Sequence, residues 1–302
     1  MFPIIPANSA TGASGQKGIF GFGTDGSKYA ETNLVSNTGV VSSDVAGVGT
    51  PRQGLAACEY GTGLGIFGFG QSDGGMQSMS NLVSNTGVVS SDVAGVGTAR
   101  NANAACGYGG DKGIFGYGYT TGPGTNHSMT NLVSNVGVIA SDVTGVGTAR
   151  RALAACEYGT GLGIFGFGYT SGNVSMTNLV SNVGVVASDT AGVGTAREGI
   201  AACTYGTDNT TGIFGYGHTG SLSSLTNLVS NVGVIASNVT GVGTTRYGLA
   251  ATQYGGDKGI FGFGSNGGYY SVTNLVSNTG VVASDQAATT GTARRACAAC
   301  SF

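Results

Sequence analysis

Six arginines recur along the chain, Arg52, Arg100, Arg150, Arg197, Arg246 and Arg294. An acidic residue lies upstream of five of them, Asp44, Asp92, Asp142, Asp189 and Asp285, with Asn238 in the remaining place. Only 9% of the residues are charged, so these eleven hold much of the ionic chemistry available. Guanidinium groups gathered at one channel mouth would grip a carboxylate or a phosphate through forked hydrogen bonds. The other reading is an arginine–aspartate staple between the fourth and the first strand of the repeat. The staple is favoured, because six unpaired guanidinium groups facing one another would repel.

A second group is Tyr29, Tyr119, His127, Tyr169, His218, Tyr269 and Tyr270. These lie in segments that vary from copy to copy, such as TDGSKYAET, YTTGPGTNHSMT and SNGGYYSVT. Tyrosine mixed with Ser, Gly and Asn suits adaptable contacts to glycans and protein surfaces, and the variation marks where the scaffold tolerates change. Drift in unconstrained loops accounts for the variation equally well. His127 and His218 are the only histidines and fall in different repeats. No repeated His/Asp/Glu cluster, nucleophile elbow or phosphate loop is present. The expectation is a protein without catalytic residues, bound metal or cofactor. Cys58, Cys106, Cys156, Cys203 and Cys300 each follow an Ala-Ala pair, where the fifth copy has Thr252. A place that accepts Cys or Thr wants a small, half-polar filler, so buried free thiols are expected. Cys297 and Cys300 point to opposite faces of a strand and should not bond.

The elements that position these residues follow from a repeat. GIFGFG or GIFGYG begins at Gly18, Gly65, Gly113, Gly163, Gly212 and Gly259, and NLVSN begins at Asn33, Asn81, Asn131, Asn178, Asn227 and Asn274, a period of 47 to 50 residues. Such a period is too long for one rung of a solenoid and near that of a propeller blade. Apolar residues make up 40% of the chain, with 59 glycines, and alternation of apolar and polar positions argues for strands over disorder or helix. Each unit divides into four strand-like runs, exemplified by RALAACEY, GIFGFG, SMTNLVSN and GVVASDTA from Arg150 onward. The second run places Phe165 and Phe167 on one face, and Gly166 is expected to receive a side chain from the next unit. The loop after the second run and the loop after the fourth share a face. The fold expected is all-β: six blades of four antiparallel strands over residues 18–302, preceded by an arm over residues 1–17. The final run, Arg294–Phe302, is a first strand without its second, and is expected to pair with the Gly18–Gly23 strand and close the array. The net charge of -2 gives no pull toward nucleic acid or acidic membranes. No apolar stretch is long enough to span a bilayer, and the start lacks the basic and apolar regions of a secretory signal.

"PRQGLAACEYGTGLGIFGFG" (residues 51–70) resembles the kelch repeat, with its arginine before the innermost strand, small residues behind it and an aromatic, glycine-rich second strand. The chain departs from that pattern in lacking the fourth-strand tryptophan and in replacing the double glycine with Gly-Phe-Gly. "MTNLVSNVGVIASDVTGVGTAR" (residues 129–150), together with "YGGDKGIFGYGYT", is similar to repeats in structural proteins of aquatic bacteriophages. The resemblance implies a six-bladed kelch-like β-propeller on a virion tail, fibre or capsid surface. It would be made in the host cytoplasm without a signal peptide and partnered by other virion proteins. The alternative partner is a host surface glycan or receptor, met by the variable loop face. Some kelch-like propellers carry copper oxidase chemistry built from Tyr, His and Cys, but this chain has no such constellation.

Overall fold

The computed structural model describes residues 17–122, 124–287 and 291–302. The arm expected over residues 1–17 lies outside them except for Lys17. Strands β1 (Gly18–Thr24) and β2 (Lys28–Val35) come first. The next repeat carries β3 (Ala56–Tyr60), β4 (Leu64–Gly68), a short hairpin of β5 (Gln71–Ser72) and β6 (Gly75–Met76), and β7 (Ser80–Val83). Then come β8 (Ala104–Tyr108), β9 (Lys112–Thr120) and β10 (Thr125–Val133). The fourth repeat holds β11 (Ala154–Tyr158), β12 (Leu162–Gly166) and β13 (Thr177–Val180). The fifth holds β14 (Ala201–Tyr205), β15 (Thr211–Gly215) and β16 (Thr226–Val229). Strands β17 (Ala250–Tyr254), β18 (Lys258–Gly262) and β19 (Thr273–Val276) precede the last, β20 (Ala298–Ser301). The described residues contain no helix, hence none long and apolar enough to cross a membrane.

Six three-stranded antiparallel sheets result: β2-β1-β20, β3-β4-β7, β8-β9-β10, β11-β12-β13, β14-β15-β16 and β17-β18-β19. The last strand completes the first sheet, with Gly18 opposite Ser301 and Gly21 opposite Ala298. The sheets are three-stranded where four strands were expected. In the repeat of β11 the fourth run meets β13 only at isolated bridges, Thr177 with Thr190 and Val180 with Val186. Between those bridges the Asn178 side-chain amide donates to the Ala187 carbonyl at 3.0 Å, occupying a place a regular ladder would fill from the backbone. Val185 in this run is 63% exposed, so little apolar burial holds it flat against its neighbour.

An apolar core lies between each pair of consecutive sheets, and the sixth joins Phe20 and Val35 of the first sheet to Ile260 and Phe263 of the last repeat. The glycine in the middle strand has the expected purpose. A Cβ placed on Gly166 would lie 2.9 Å from the Phe214 ring of the next repeat, and Gly262 is related in the same way to Phe20. The two aromatics of the middle run, expected on one face, serve opposite faces. Phe165 meets Tyr117 of the preceding repeat at a ring separation of 5.1 Å, whereas Phe167 meets Phe214 of the following one at 5.3 Å. The cause is a left-handed backbone at Phe167 (φ 62°), which ends the strand's alternation.

Ahead of each inner strand the backbone makes one further connection. Ala102 donates its N–H to Gly54, Ala152 to Ala102, Gly199 to Ala152, Gly248 to Gly199, Ala296 to Gly248, and Gly54 to Ala296. These six hydrogen bonds of 2.7–2.9 Å form a cycle that returns to its starting residue. Every member has a positive φ, including Ala102 at 49° and Ala152 and Ala296 at 53°. A left-handed alanine is strained by about 1 kcal/mol or more, so the cycle is a tightly determined geometry.

Candidate functional site

The six arginines present no open ring of charge. Each is fully buried. Arg150 illustrates the arrangement: Nε donates to the Phe167 carbonyl at 2.8 Å, Nη1 to Thr148 O at 3.2 Å, and Nη2 to Asn178 Oδ1 at 2.7 Å. Its guanidinium carbon lies 4.3 Å from the centre of the Tyr117 ring of the preceding repeat. The carbonyl that receives Nε belongs to the left-handed Phe167, so the buried cation stabilises the strained turn that redirects the second aromatic. The same pairing occurs at Tyr117 with Arg100, Tyr216 with Arg197, Phe263 with Arg246 and Phe22 with Arg294.

A staple exists, but its partners differ from the simple sequence order. Arg150 faces Asp189 at 3.8 Å, Arg100 faces Asp142 at 3.9 Å, and Arg294 faces Asp44 at 3.5 Å. The aspartate is therefore the one about 40 residues downstream, or, for Arg294, the one in the N-terminal part of the sheet that its strand completes, because the arginine precedes the inner strand and reaches outward across its own sheet. Arg52 with Asp92 and Arg246 with Asp285 complete the set, and Arg197 has Asn238 in view of the same position. Burial alone would raise the Asp189 carboxyl. Hydrogen bonds from Thr148 and Asn178, with the Arg150 charge, more than offset that and hold it below the usual carboxylate range. Burial pushes Arg100 and Arg197 down to about 10, which leaves both cationic near neutral pH.

Beside the backbone cycle a cavity of about 640 Å³ opens on the loop face, lined from all six repeats. Its rim carries residues that follow the buried arginines, Gln53, Asn101, Glu198, Tyr247 and Arg295, whereas the sixth such residue, Arg151, stands outside the lining. In a repeat that otherwise hardly varies there, these positions carry six side chains of five kinds. Below them lies a floor of Leu55, Leu153, Ile200, Leu249 and Cys297, with Asn103 in the sixth place. Asn103 is 6% exposed, and neither its Oδ1 nor its Nδ2 has a hydrogen-bond partner. Leaving such atoms unpaired costs on the order of 1–3 kcal/mol, while the leucine of the neighbouring repeats would cost nothing of the kind.

Of the loop residues singled out from sequence, His218 reaches this cavity, its ring 6.2 Å from that of Tyr247. Tyr119 and Tyr169 stand behind it, holding the Arg151 guanidinium between their rings at 4.6 and 4.8 Å. Tyr29 turns its hydroxyl to Asp25 at 2.8 Å, and His127 Nε2 sits 3.0 Å from the Thr120 hydroxyl. Tyr269 and Tyr270 belong to a turn beside Ser265 and Gly264, and Tyr269 is exposed. These seven residues are thus spread around the loop face and do not form one site. Sequence reasoning passed over the rim and Asn103, although the changes from copy to copy after the arginine, and one asparagine among aliphatic residues, were there to be seen.

All six cysteines are free and buried, and five of them, Cys58, Cys106, Cys156, Cys203 and Cys300, lie toward the opposite end of the inner strands from Cys297. Their sulfurs fill space between sheets: a Cβ on Gly212 would lie 2.6 Å from Cys156 Sγ, and one on Gly18 would lie 2.7 Å from Thr252 Cγ2. Burial raises the Cys106 and Cys300 thiols far above their ordinary range, which suppresses the nucleophilic thiolate. Glu157 leans over Gly107, where any side chain would collide with it, and burial pushes its carboxyl up to about 7. Among the described residues no three His, Cys, Asp or Glu side chains gather as a metal site. Compared with known proteins, the chain matches no family model and no curated sequence.

Proposed function

We propose that the chain is a non-enzymatic interaction scaffold: a six-bladed kelch-like β-propeller, closed by β20 on β1, serving as a structural or decoration protein of a bacteriophage particle. The observation that carries the scaffold reading is the backbone cycle from Gly54 to Ala296 and back, which links all six repeats. The isolated bridges between the fourth run and the third strand support that reading. Apart from Arg52 Nε, which has no partner, the guanidinium groups of the buried networks spend their donors inside the fold, a use that stiffens a scaffold. The virion assignment rests on the resemblance of residues 129–150 to phage structural repeats. Peptide mass spectrometry of density-purified phage particles, paired with immunogold labelling, tests it. Peptides of this chain in stoichiometric amount and gold on the particle surface are expected; purified particles free of the chain would overturn it.

A second reading, recognition of a host glycan or receptor, is favoured by the cavity on the loop face. Structural repetition alone would leave the rim as uniform as the arginines beneath it. Binding on a glycan array, lost when rim residues are replaced, is the expected result, and a blank array would overturn this reading.

A further inference from the structure

The second reading acquires a specific ligand chemistry from the floor and rim of the cavity. At about 640 Å³ the cavity falls within the size range of small-ligand sites. The floor is aliphatic apart from Asn103, whose amide offers one donor group and one acceptor, both buried and both unpartnered. A secondary amide is the group that answers an asparagine side chain on both counts, with its C=O to Nδ2 and its N–H to Oδ1. A methyl attached to that amide would rest against the aliphatic floor.

At the rim the requirement changes. Among the described residues Arg295 forms no ion pair with a carboxylate. Arg151 donates Nη1 to Asn126 Oδ1 at 3.3 Å and is held between two tyrosines, outside the cavity lining. Arg295 is stacked on Tyr247 and donates to its hydroxyl. Arg295 lines the same cavity as Asn103, which puts a cation already oriented by Tyr247 in the opening that holds the orphan amide. Gln53, Glu198 and His218 add neutral and anionic hydrogen-bonding groups around the opening, more than a lone carboxylate uses and suited to hydroxyls.

We infer that the cavity binds an N-acetylated acidic sugar, with its acetamido group on Asn103, its methyl on the aliphatic floor and its carboxylate on Arg295. The inference rests on the glycan reading above and narrows it. It explains why one repeat keeps an asparagine where four others keep leucine or isoleucine and one keeps cysteine.

The experiment is calorimetric titration of the full chain with four probes. They are the methyl glycoside of N-acetylneuraminic acid, its de-N-acetylated counterpart, N-acetylglucosamine (amide without carboxylate), and glucuronic acid (carboxylate without amide). Binding of the first is expected, with the other three at least tenfold weaker. Asn103→Leu and Arg295→Met should each weaken the first probe at least tenfold, while Lys258→Ala, at the far end of the inner strands, leaves it unchanged. Asn103→Leu also removes a buried polar defect, so its thermal unfolding, measured alongside, is expected to shift upward and exclude loss of fold as the cause. Glucuronic acid binding as tightly as the first probe, or Asn103→Leu binding it undiminished, would overturn the inference. So would preference for a peptide carboxylate in a competition arm. Binding of other glycans on an array with none of the four probes would overturn the ligand assignment and leave the glycan reading standing; a blank array as well would remove both.

Discussion

Replacing Asn103 with leucine should make the protein more stable. Asn103 packs against Gly118 as Leu153 packs against Gly168, the two Cβ atoms being equally placed at 3.0 Å from where a glycine Cβ would stand. The backbone niche is therefore already built for leucine, and the substitution demands no rearrangement. Two buried amide atoms without partners cost on the order of 1–3 kcal/mol each, and some of that is recovered by residual contact with the cavity. Burying a leucine side chain in their place contributes about 2 kcal/mol. A net gain of about 2–4 kcal/mol is expected, equivalent to a rise in Tm of roughly 4–8 °C for a chain of this size. Urea unfolding followed by circular dichroism should show a higher midpoint at an unchanged slope, with calorimetry giving Tm directly. An unchanged or lowered midpoint would mean that solvent already satisfies the Asn103 amide. Asn103 would then not sacrifice stability for recognition.

Arg150→Met should lower stability by about 3 kcal/mol, because it removes a buried charge network and leaves Asn178 and Asp189 without their cation. Arg197→Met, whose repeat has Asn238 in place of the aspartate, should lose less in the same urea titration; equal losses would refute a role for the carboxylate. The five aspartates, Asp44, Asp92, Asp142, Asp189 and Asp285, have carboxyls held below their ordinary range in the folded chain. Their contribution is present above the ordinary carboxylate range and is lost as pH falls through the depressed folded values, so the unfolding midpoint should drop below about pH 4. Asp189→Asn should flatten that acid limb, and an unaltered limb would contradict the assignment. Glu157 has the opposite sign. Its carboxyl, pushed up to about 7 by burial, keeps a proton that the unfolded chain has already released. Stability should fall as pH rises through 7, and Glu157→Gln should abolish that slope in a midpoint series from pH 5 to 8.

Much of the fold was legible because it is written six times. The spacing of GIFGFG and NLVSN located the middle and third strands. Gly166 announced a ring from the next repeat, the Cys/Thr position announced a small filler, and Arg294–Phe302 found the partner strand expected for it. The failures have physical causes that pattern reading does not register. Phe167 left the face of Phe165 because a left-handed turn intervenes, and that turn is supported by a guanidinium distant in sequence from it. The fourth run looked like a strand from its valines, yet the Asn178 side chain takes the place of a ladder partner. Arg150 chose Asp189 over the nearer Asp142 because a sheet is spanned through space, from its inner strand outward. The loop tyrosines drew attention by type, whereas the rim was marked by difference between copies, a signal that comes from comparing repeats position by position.

The central claim is that the six sheets close on themselves through β1 and β20 and so enclose the cavity. Small-angle X-ray scattering of the full chain tests this most directly. A closed array of 302 residues should give a radius of gyration of about 19 Å, that of a compact domain, and a distance distribution with a single bounded maximum. A rod-like profile with a radius of gyration far above that value would mean that the sheets stack in an open line, and would contradict the account.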